Sequence, residues 1–337
     1  MKRRGFLQVA ALGLAGLPRL SAQQKHPARA MTVLGMVPAS RLGRTLVHEH
    51  VLVDFIGAEK IAPGRYDPEE VFQKALPYLE KLKAAGGETL VECTPEYIGR
   101  DARLLRRLSK ASGLHIITNT GFYGAAEDKY VPRLAYKETV DELAMRWARE
   151  FEDGIPPDNI RPGIMKVGVD SGPLSEIDDK LIRAAARAHK RTGLAIASHT
   201  GDGVAALAQL AVLKEEDVNP SAFIWVHAQN EPDPGYHQRA AALGAWVEFD
   251  GISPQTLGQH AELVLTMKRT GYLTRTLLSQ DAGWYHVGEP GGGNFRGYET
   301  LFTEFLPALR KAGISEEEVS TLVVRNPRRA LALRQET

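Results

Sequence analysis

Two histidines stand one residue apart in the segment GRTLVHEHVLVDF (residues 43–55), with branched apolar residues on both sides of the His-Glu-His triplet. Because residues i and i+2 of a β-strand point to the same face, His48 and His50 would face one shared space. Two imidazoles side by side in an apolar core are costly unless a cation or a polar partner holds them. The pattern therefore predicts a metal site whose other ligands come from elsewhere in the chain.

Further side chains that can bind a metal stand in or directly after short apolar runs. They are Lys166, His199, His227 and Asp281. A single histidine after a strand is more often a hydrogen-bonded loop residue than a ligand, but six such residues at corresponding strand ends favour one shared site. The remaining histidines have other expected places. Helical patterns place His189, His237 and His260 on the solvent face, and His115 near the start of its strand falls at the opposite end.

The elements that must position these residues alternate regularly along the chain. Apolar runs of strand length start at residues 87, 114, 163, 194, 222, 245 and 275, and the segment around His48 makes eight. Amphipathic helical segments lie between them, for example residues 68–87 and 178–193. This alternation predicts an α/β fold, a single-domain (β/α)8 TIM barrel, in which chemistry occurs at the carboxyl ends of the strands. A doubly wound sheet is disfavoured because no strand runs into a glycine-rich phosphate turn.

Composition limits the classes of function. The chain has 337 residues, a formal net charge of +1 and one cysteine, Cys93. We therefore expect no nucleic-acid partner, no disulfide framework and no cysteine-based metal cluster. Cys93 itself is expected to be a buried apolar residue.

The first 24 residues have the features of an export signal. They contain Arg3-Arg4, an apolar run too short to span a bilayer, and small residues suited to cleavage. This resembles a twin-arginine signal peptide, so we expect export of the folded protein by the twin-arginine machinery to the periplasm, without a stable membrane anchor. Residues 25–337 would then form the barrel domain.

Lys166 is the most informative of the candidate ligands. Burial among histidines and metal ions would lower its pKa from about 10.4. A neutral amine can add carbon dioxide to form a carbamate, whose two oxygens can each bind one metal ion. The alternative is an ordinary ion pair between Lys166 and Asp281, which would leave one metal or none.

The motifs resemble those of the phosphotriesterase family of the amidohydrolase superfamily. The segments that carry the resemblance are VLGMVPASRLGRTLVHEH, MKV, ASHTG, VHAQNE, SQDAG and RNPRRAL, spread from about residue 32 to 333. The resemblance implies a (β/α)8 barrel with two divalent metal ions, zinc first, with cobalt, iron or manganese as alternatives. It places His48, His50 and Asp281 on the more buried ion, and His199 and His227 on the more exposed one. Carboxylated Lys166 would bridge the two.

The same resemblance implies hydrolysis. A hydroxide held between the metals would attack the substrate, and Asp281 would take the released proton. Tyr123 falls where lactonase-like members place a tyrosine over the metals, so we expect it to contact substrate, together with Trp284 and Asp250. The alternative for both aromatic residues is packing within their loops, and the alternative for Asp250 is the orientation of a loop.

One departure from the family bears on the substrate. Efficient organophosphate hydrolases continue the proton relay with a histidine and an aspartate, at positions that here are Gly251 and Asn230, neither of them ionisable. A lactone or carboxyl ester is therefore the expected substrate, with phosphotriester hydrolysis as a side reaction. The alternatives are a dedicated phosphotriesterase, an amide hydrolase or a non-catalytic binding barrel. Relatives are often dimers, which predicts a homodimer.

Overall fold

Eight parallel strands form the barrel that the sequence predicts, in a computed structural model that describes residues 28–334. The predicted leader, residues 1–24, lies outside the described residues. The barrel strands are β1 Thr45–Val53, β2 Thr89–Glu92, β3 in two parts His115–Ile117 and Asn119–Thr120, β4 Ile164–Val169, β5 Ala195–Thr200, β6 Phe223–Val226, β7 Trp246–Phe249 and β8 Thr276–Leu278.

The strands are neighbours in chain order, and the first and last close the barrel. The segment just after β8 bonds to β1, since the His48 amide donates to Ser279 Oγ (2.8 Å) and the Asp281 amide donates to the His48 carbonyl (3.1 Å). The strand Gly283–His286 then pairs in parallel with β1. Closure therefore brings Asp281 directly beside the His-Glu-His triplet.

Helices surround the barrel. They are α1 Pro68–Ala84, α2 Ala102–Ser112, α3 Arg133–Lys137, α4 Val140–Glu152, α5 Glu176–Thr192, α6 Gly203–Glu215, α7 Pro234–Leu243, α8 Leu257–Arg269, α9 Leu306–Lys311, α10 Glu316–Ser320 and α11 Asn326–Leu331. Turns of π-helix, Leu301–Phe305 and Thr321–Arg325, precede α9 and α11. A two-stranded hairpin, Arg29–Thr32 with Gly35–Pro38, precedes the barrel.

Local sequence signals explain where the helices begin and end. The helix α5 begins after Ser175, whose side chain accepts from the Asp178 amide, and ends at Gly193 with a φ of 73°. Helix α1 begins in the same way after Asp67, which accepts from the Glu69 amide. Such caps satisfy amide and carbonyl groups that a helix end leaves unpaired. Within residues 28–334, no helix is long and apolar enough to cross a membrane.

Two expectations about position need correction. Lys166 is the third residue of β4 and lies inside the strand, because β4 continues to Val169. The three helical histidines, His189, His237 and His260, are buried rather than solvent-facing. The reason is a hydrogen bond from each ring to a backbone carbonyl, those of Leu194, Ala228 and Asp250 respectively. Cys93 is fully buried, as expected.

Candidate active site

The barrel mouth brings the six predicted ligands together. His48 and His50 lie on β1, Lys166 on β4 and His199 on β5, while His227 directly follows β6 and Asp281 follows β8 by three residues. The four imidazoles form a row in the order His50, His48, His227, His199. Successive ring centroids in this row lie 5.2, 4.9 and 4.5 Å apart.

The ligand atoms of His48, His50 and Asp281 lie close to one another. The two Nε2 atoms are 3.2 Å apart, and Asp281 Oδ1 lies 3.2 Å from His50 Nε2 and 3.7 Å from His48 Nε2. All these atoms lie within 4.8 Å of one another. Nitrogen and carboxylate donors at such distances suit a divalent transition metal.

The hydrogen bonds of the His48 and His50 rings place the proton of each ring on Nδ1 and leave each Nε2 unprotonated. His48 Nδ1 donates to Glu248 Oε1 (3.0 Å), and His50 Nδ1 donates to Thr94 Oγ1 (2.8 Å). Thr94 cannot be the donor in that contact, because its hydroxyl donates to Glu92. Two neutral imidazoles and a carboxylate thus point only lone pairs at one another. A bound cation would remove the repulsion between these lone pairs. The residues present therefore fit a metal ion.

Electrostatics keep the histidines neutral, as metal ligands must be. Burial, followed by the nearby Lys166 ammonium, lowers the pKa of His48 to about 3. Burial and the adjacent His227 hold the pKa of His199 well below its usual value. Burial alone would raise the pKa of Asp281, but the neighbouring His50 and His48 rings lower it overall.

Lys166 points into the same cluster without a partner. Its side chain is only 1 % exposed, and its Nζ is a buried polar atom with no hydrogen bond in the described structure. The Nζ lies 6.0 Å from the Tyr123 ring centroid. The alternative ion pair with Asp281 is not formed among the described residues. A buried, unpaired amine is costly, so the site needs a group that this nitrogen can join.

Asp250 lies behind His227 and is fully buried. Its carboxylate accepts from the His227 amide (3.0 Å), from His227 Nδ1 (2.5 Å) and from Gln229 Nε2 (2.7 Å). The group His48, His227 and Asp250 therefore forms a hydrogen-bonded cluster rather than a second metal cage. In this position Asp250 can orient the His227 ring, and its contact with substrate stays a prediction.

Two aromatic side chains flank the cluster at the mouth. The Tyr123 ring lies 5.1 Å from the His199 ring, and the Trp284 ring lies 4.6 Å from the His50 ring. Trp284 Nε1 donates to the Asp281 carbonyl (2.7 Å). Both rings are half-buried, so each keeps part of its surface exposed beside the row of histidines.

The two departures from the organophosphate hydrolases also lie at this end of the barrel. Gly251 follows Asp250 with a φ of 71° and is half-buried, and Asn230 is exposed in the short turn after His227. These positions carry no ionisable group.

Three residues behind the histidines escaped the sequence analysis: Glu92, Thr94 and Glu248. Glu92 and Glu248 are 2 % and 1 % exposed and stand within apolar barrel strands. A signal was available, because a carboxylate in a strand buried on both faces needs a specific partner. Thr94 carries no comparable signal.

Comparison with known proteins gives a consistent assignment. The model of the phosphotriesterase family matches residues 28–331. A phosphotriesterase homology protein of Escherichia coli is 29 % identical, over 85 % of this chain and 96 % of the relative. An aryldialkylphosphatase of Saccharolobus solfataricus is 25 % identical, over 87 % and 96 % of the two chains. An N-acetyltaurine hydrolase of Salmo salar is 26 % identical, over 91 % and 98 %.

The aryldialkylphosphatase and the N-acetyltaurine hydrolase are named as hydrolases of different bonds, and the histidine and aspartate cluster can hold a metal. Together they support a metal-dependent hydrolase. The family match, which spans nearly all of the described residues, shows that this chain belongs to the phosphotriesterase family.

Proposed function

We propose that this protein hydrolyses a lactone or a carboxyl ester with the help of two divalent metal ions, most simply zinc. Metal dependence is supported by three electron-rich atoms that lie close together: His48 Nε2, His50 Nε2 and Asp281 Oδ1. Neither Nε2 atom carries a proton, so no hydrogen bond joins the two rings. The observation that favours a lactone or ester over a phosphotriester is the absence of an ionisable side chain at positions 230 and 251.

The family resemblance implies two ligand groups. His48, His50 and Asp281 would hold the more buried ion, since His48 is 1 % exposed. The half-buried His199 and His227 would hold the other. After loss of its ammonium proton, the Lys166 amine would add carbon dioxide and release one further proton, and the resulting carbamate would lie between the two groups. When bound, such ions supply Lewis acidity and lower the pKa of a water molecule toward neutrality.

The chain's own residues would transfer the proton, contact the substrate and orient the imidazoles. Asp281 faces the histidines with a side chain that is 22 % exposed, so it can accept a proton at the mouth and release it to the leaving group. Tyr123 and Trp284 would contact the substrate from opposite sides and exclude water. Asp250, Glu248 and the Glu92–Thr94 pair hold the imidazoles with Nε2 toward the centre.

An amide is the second candidate substrate. The relative from Salmo salar is named as an N-acetyltaurine hydrolase, and its alignment covers 91 % of this chain. The same nucleophile and proton acceptor would serve an amide, provided that Asp281 delivers its proton to the leaving nitrogen.

A panel of substrates separates these possibilities. Zinc-loaded protein would be given an aliphatic lactone, an aryl ester, an N-acetyl amide and a dialkyl aryl phosphate, each also tested with Lys166→Ala protein. We expect the lactone or the ester to have the highest kcat/KM, with the variant inactive. A clear preference for the amide would replace the ester proposal, and a preference for the phosphate would show that the relay residues are dispensable.

We further propose that residues 1–24 direct export to the periplasm by the twin-arginine machinery, and that the mature chain forms a homodimer. The Arg3-Arg4 pair followed by an apolar run supports the first proposal. Replacement of both arginines by lysine should retain the protein in the cytoplasmic fraction of a bacterial host.

The homodimer has its own test. Light scattering of the mature protein should give twice the mass of one chain.

A further inference from the structure

The glutamate between the two histidines, Glu49, is not a candidate metal ligand, yet its contacts are specific. Glu49 is fully buried, on the face of β1 opposite to His48 and His50. Its Oε1 accepts from Ser279 Oγ (2.7 Å) and from the Gln280 amide (3.0 Å). Its Oε2 accepts from the Ala282 amide (2.7 Å). One carboxylate thus binds three donors from the segment that follows β8.

These donors enclose Asp281. The Gln280 and Ala282 amides belong to the residues directly before and after it, and each bonds to a different oxygen of Glu49. Asp281 itself has a φ of 49°, in the left-handed region that is unfavourable for a residue other than glycine. Such a conformation persists only when neighbouring contacts fix it.

We propose that Glu49 is a positioning residue: its carboxylate clamps the peptides on both sides of Asp281 and so holds that side chain toward His48 and His50. The inference rests on the proposed metal-dependent hydrolysis, in which Asp281 is both ligand and proton acceptor. It also explains the His-Glu-His triplet, since the histidines face the mouth while the residue between them organises the third ligand.

All three contacts of Glu49 need a hydrogen-bond acceptor at that position. Its two oxygens accept three hydrogen bonds and donate none. A glutamine at position 49 has nearly the same shape but only one acceptor oxygen, and its NH2 group would face an N–H or O–H donor. An aspartate keeps both oxygens but is shorter by one methylene group.

If Glu49 only joined β1 to the end of β8, its replacement would lower stability without a specific effect on metal binding. Asn326 provides a matched control for such a structural role. Asn326 is fully buried at the opposite end of β8, where its Nδ2 donates to the carbonyls of Leu273 (2.9 Å) and Thr276 (2.7 Å). Asn326→Ala removes buried hydrogen bonds from the same strand, far from the mouth.

The test is zinc affinity, measured by competition with a chromophoric chelator on the full chain. The visible spectrum of the cobalt-loaded protein would be recorded alongside. We expect Glu49→Gln to bind the metal about 10- to 100-fold more weakly and to alter the cobalt spectrum. Asn326→Ala should keep both wild-type properties while its Tm falls. Glu49→Asp should lie between Glu49→Gln and wild type, and it decides the question if Glu49→Gln does not fold.

Two results would overturn the clamp while leaving the proposed function intact. One is wild-type affinity and spectrum in both Glu49 variants, and the other is an equal loss of affinity in Asn326→Ala. A wild-type chain that binds no zinc would instead overturn the proposed function, and this inference with it.

Discussion

At the scale of single residues, the site depends on acceptors that stand behind the histidines. Glu248 accepts from His48, Asp250 from His227 and Thr94 from His50. Each bond fixes the tautomer in which Nδ1 carries the proton and Nε2 is free to bind a metal. The buried acceptors therefore set which ring atom faces the mouth.

Lys166 gives the sharpest prediction at this scale. Lys166→Ala removes the buried amine that would form the bridging carbamate, so we expect kcat/KM to fall by at least about 100-fold and the bound metal to decrease. Metal analysis and ester hydrolysis check this. The exposed Lys110, replaced by alanine in parallel, should leave both values unchanged. An active Lys166→Ala protein with its full metal content would refute the bridging role.

Glu248 allows a graded test of the acceptors. Glu248→Gln retains an oxygen that can accept from His48 Nδ1, whereas Glu248→Leu does not. We expect less than a tenfold loss of zinc affinity for the glutamine variant and about 10- to 100-fold for the leucine variant. Chelator competition measures both, and equal affinities would show that His48 needs no acceptor.

At the scale of elements, strands were easier to predict than the faces of helices. The eight apolar strands are specified by runs of buried residues, and all of them are confirmed. Helical histidines were misplaced because a barrel helix contacts the strands and its neighbours over a broad face. The His260 side chain, for example, reaches the Asp250 carbonyl, a partner ten residues away that the helical pattern does not reveal.

The start of α5 carries a pH-dependent prediction. Asp178 is 4 % exposed, and burial, aided by the charges of Asp128 and Asp170, raises its pKa to about 6 from a usual 3.8. Below pH 3.8 the carboxyl group is protonated in both the folded and the unfolded state, so it does not lower the free energy of unfolding. Between pH 3.8 and pH 6 the folded state retains the proton while the unfolded state releases it, so the free energy of unfolding decreases as the pH rises. Above pH 6 this decrease is complete.

Replacement of this group should therefore stabilise the protein at neutral pH. We expect Asp178→Asn to raise the Tm by roughly 2–4 °C at pH 7 and to lose this advantage near pH 4. Calorimetry across this pH range measures the difference. The adjacent Asp179, which pairs with Arg183, should show no such gain when replaced by asparagine. A constant difference at every pH would contradict the assignment.

At the scale of the whole molecule, the fold joins residues that are far apart in the chain. The six candidate ligands were recognisable because parallel strands bring their carboxyl ends to one mouth. The contacts between β1 and the segment after β8 were not, because Glu49 and its donors are separated by 230 or more residues. Periodicity indicates which face is buried, but it does not identify a partner across the closure of a barrel.

The most direct test of the central claim is a metal titration of the mature protein with zinc content and ester hydrolysis followed together. We predict that a chelator removes two zinc ions per chain and abolishes hydrolysis, and that zinc restores both while the Tm rises. Hydrolysis that continues at full rate in metal-free protein would contradict the account.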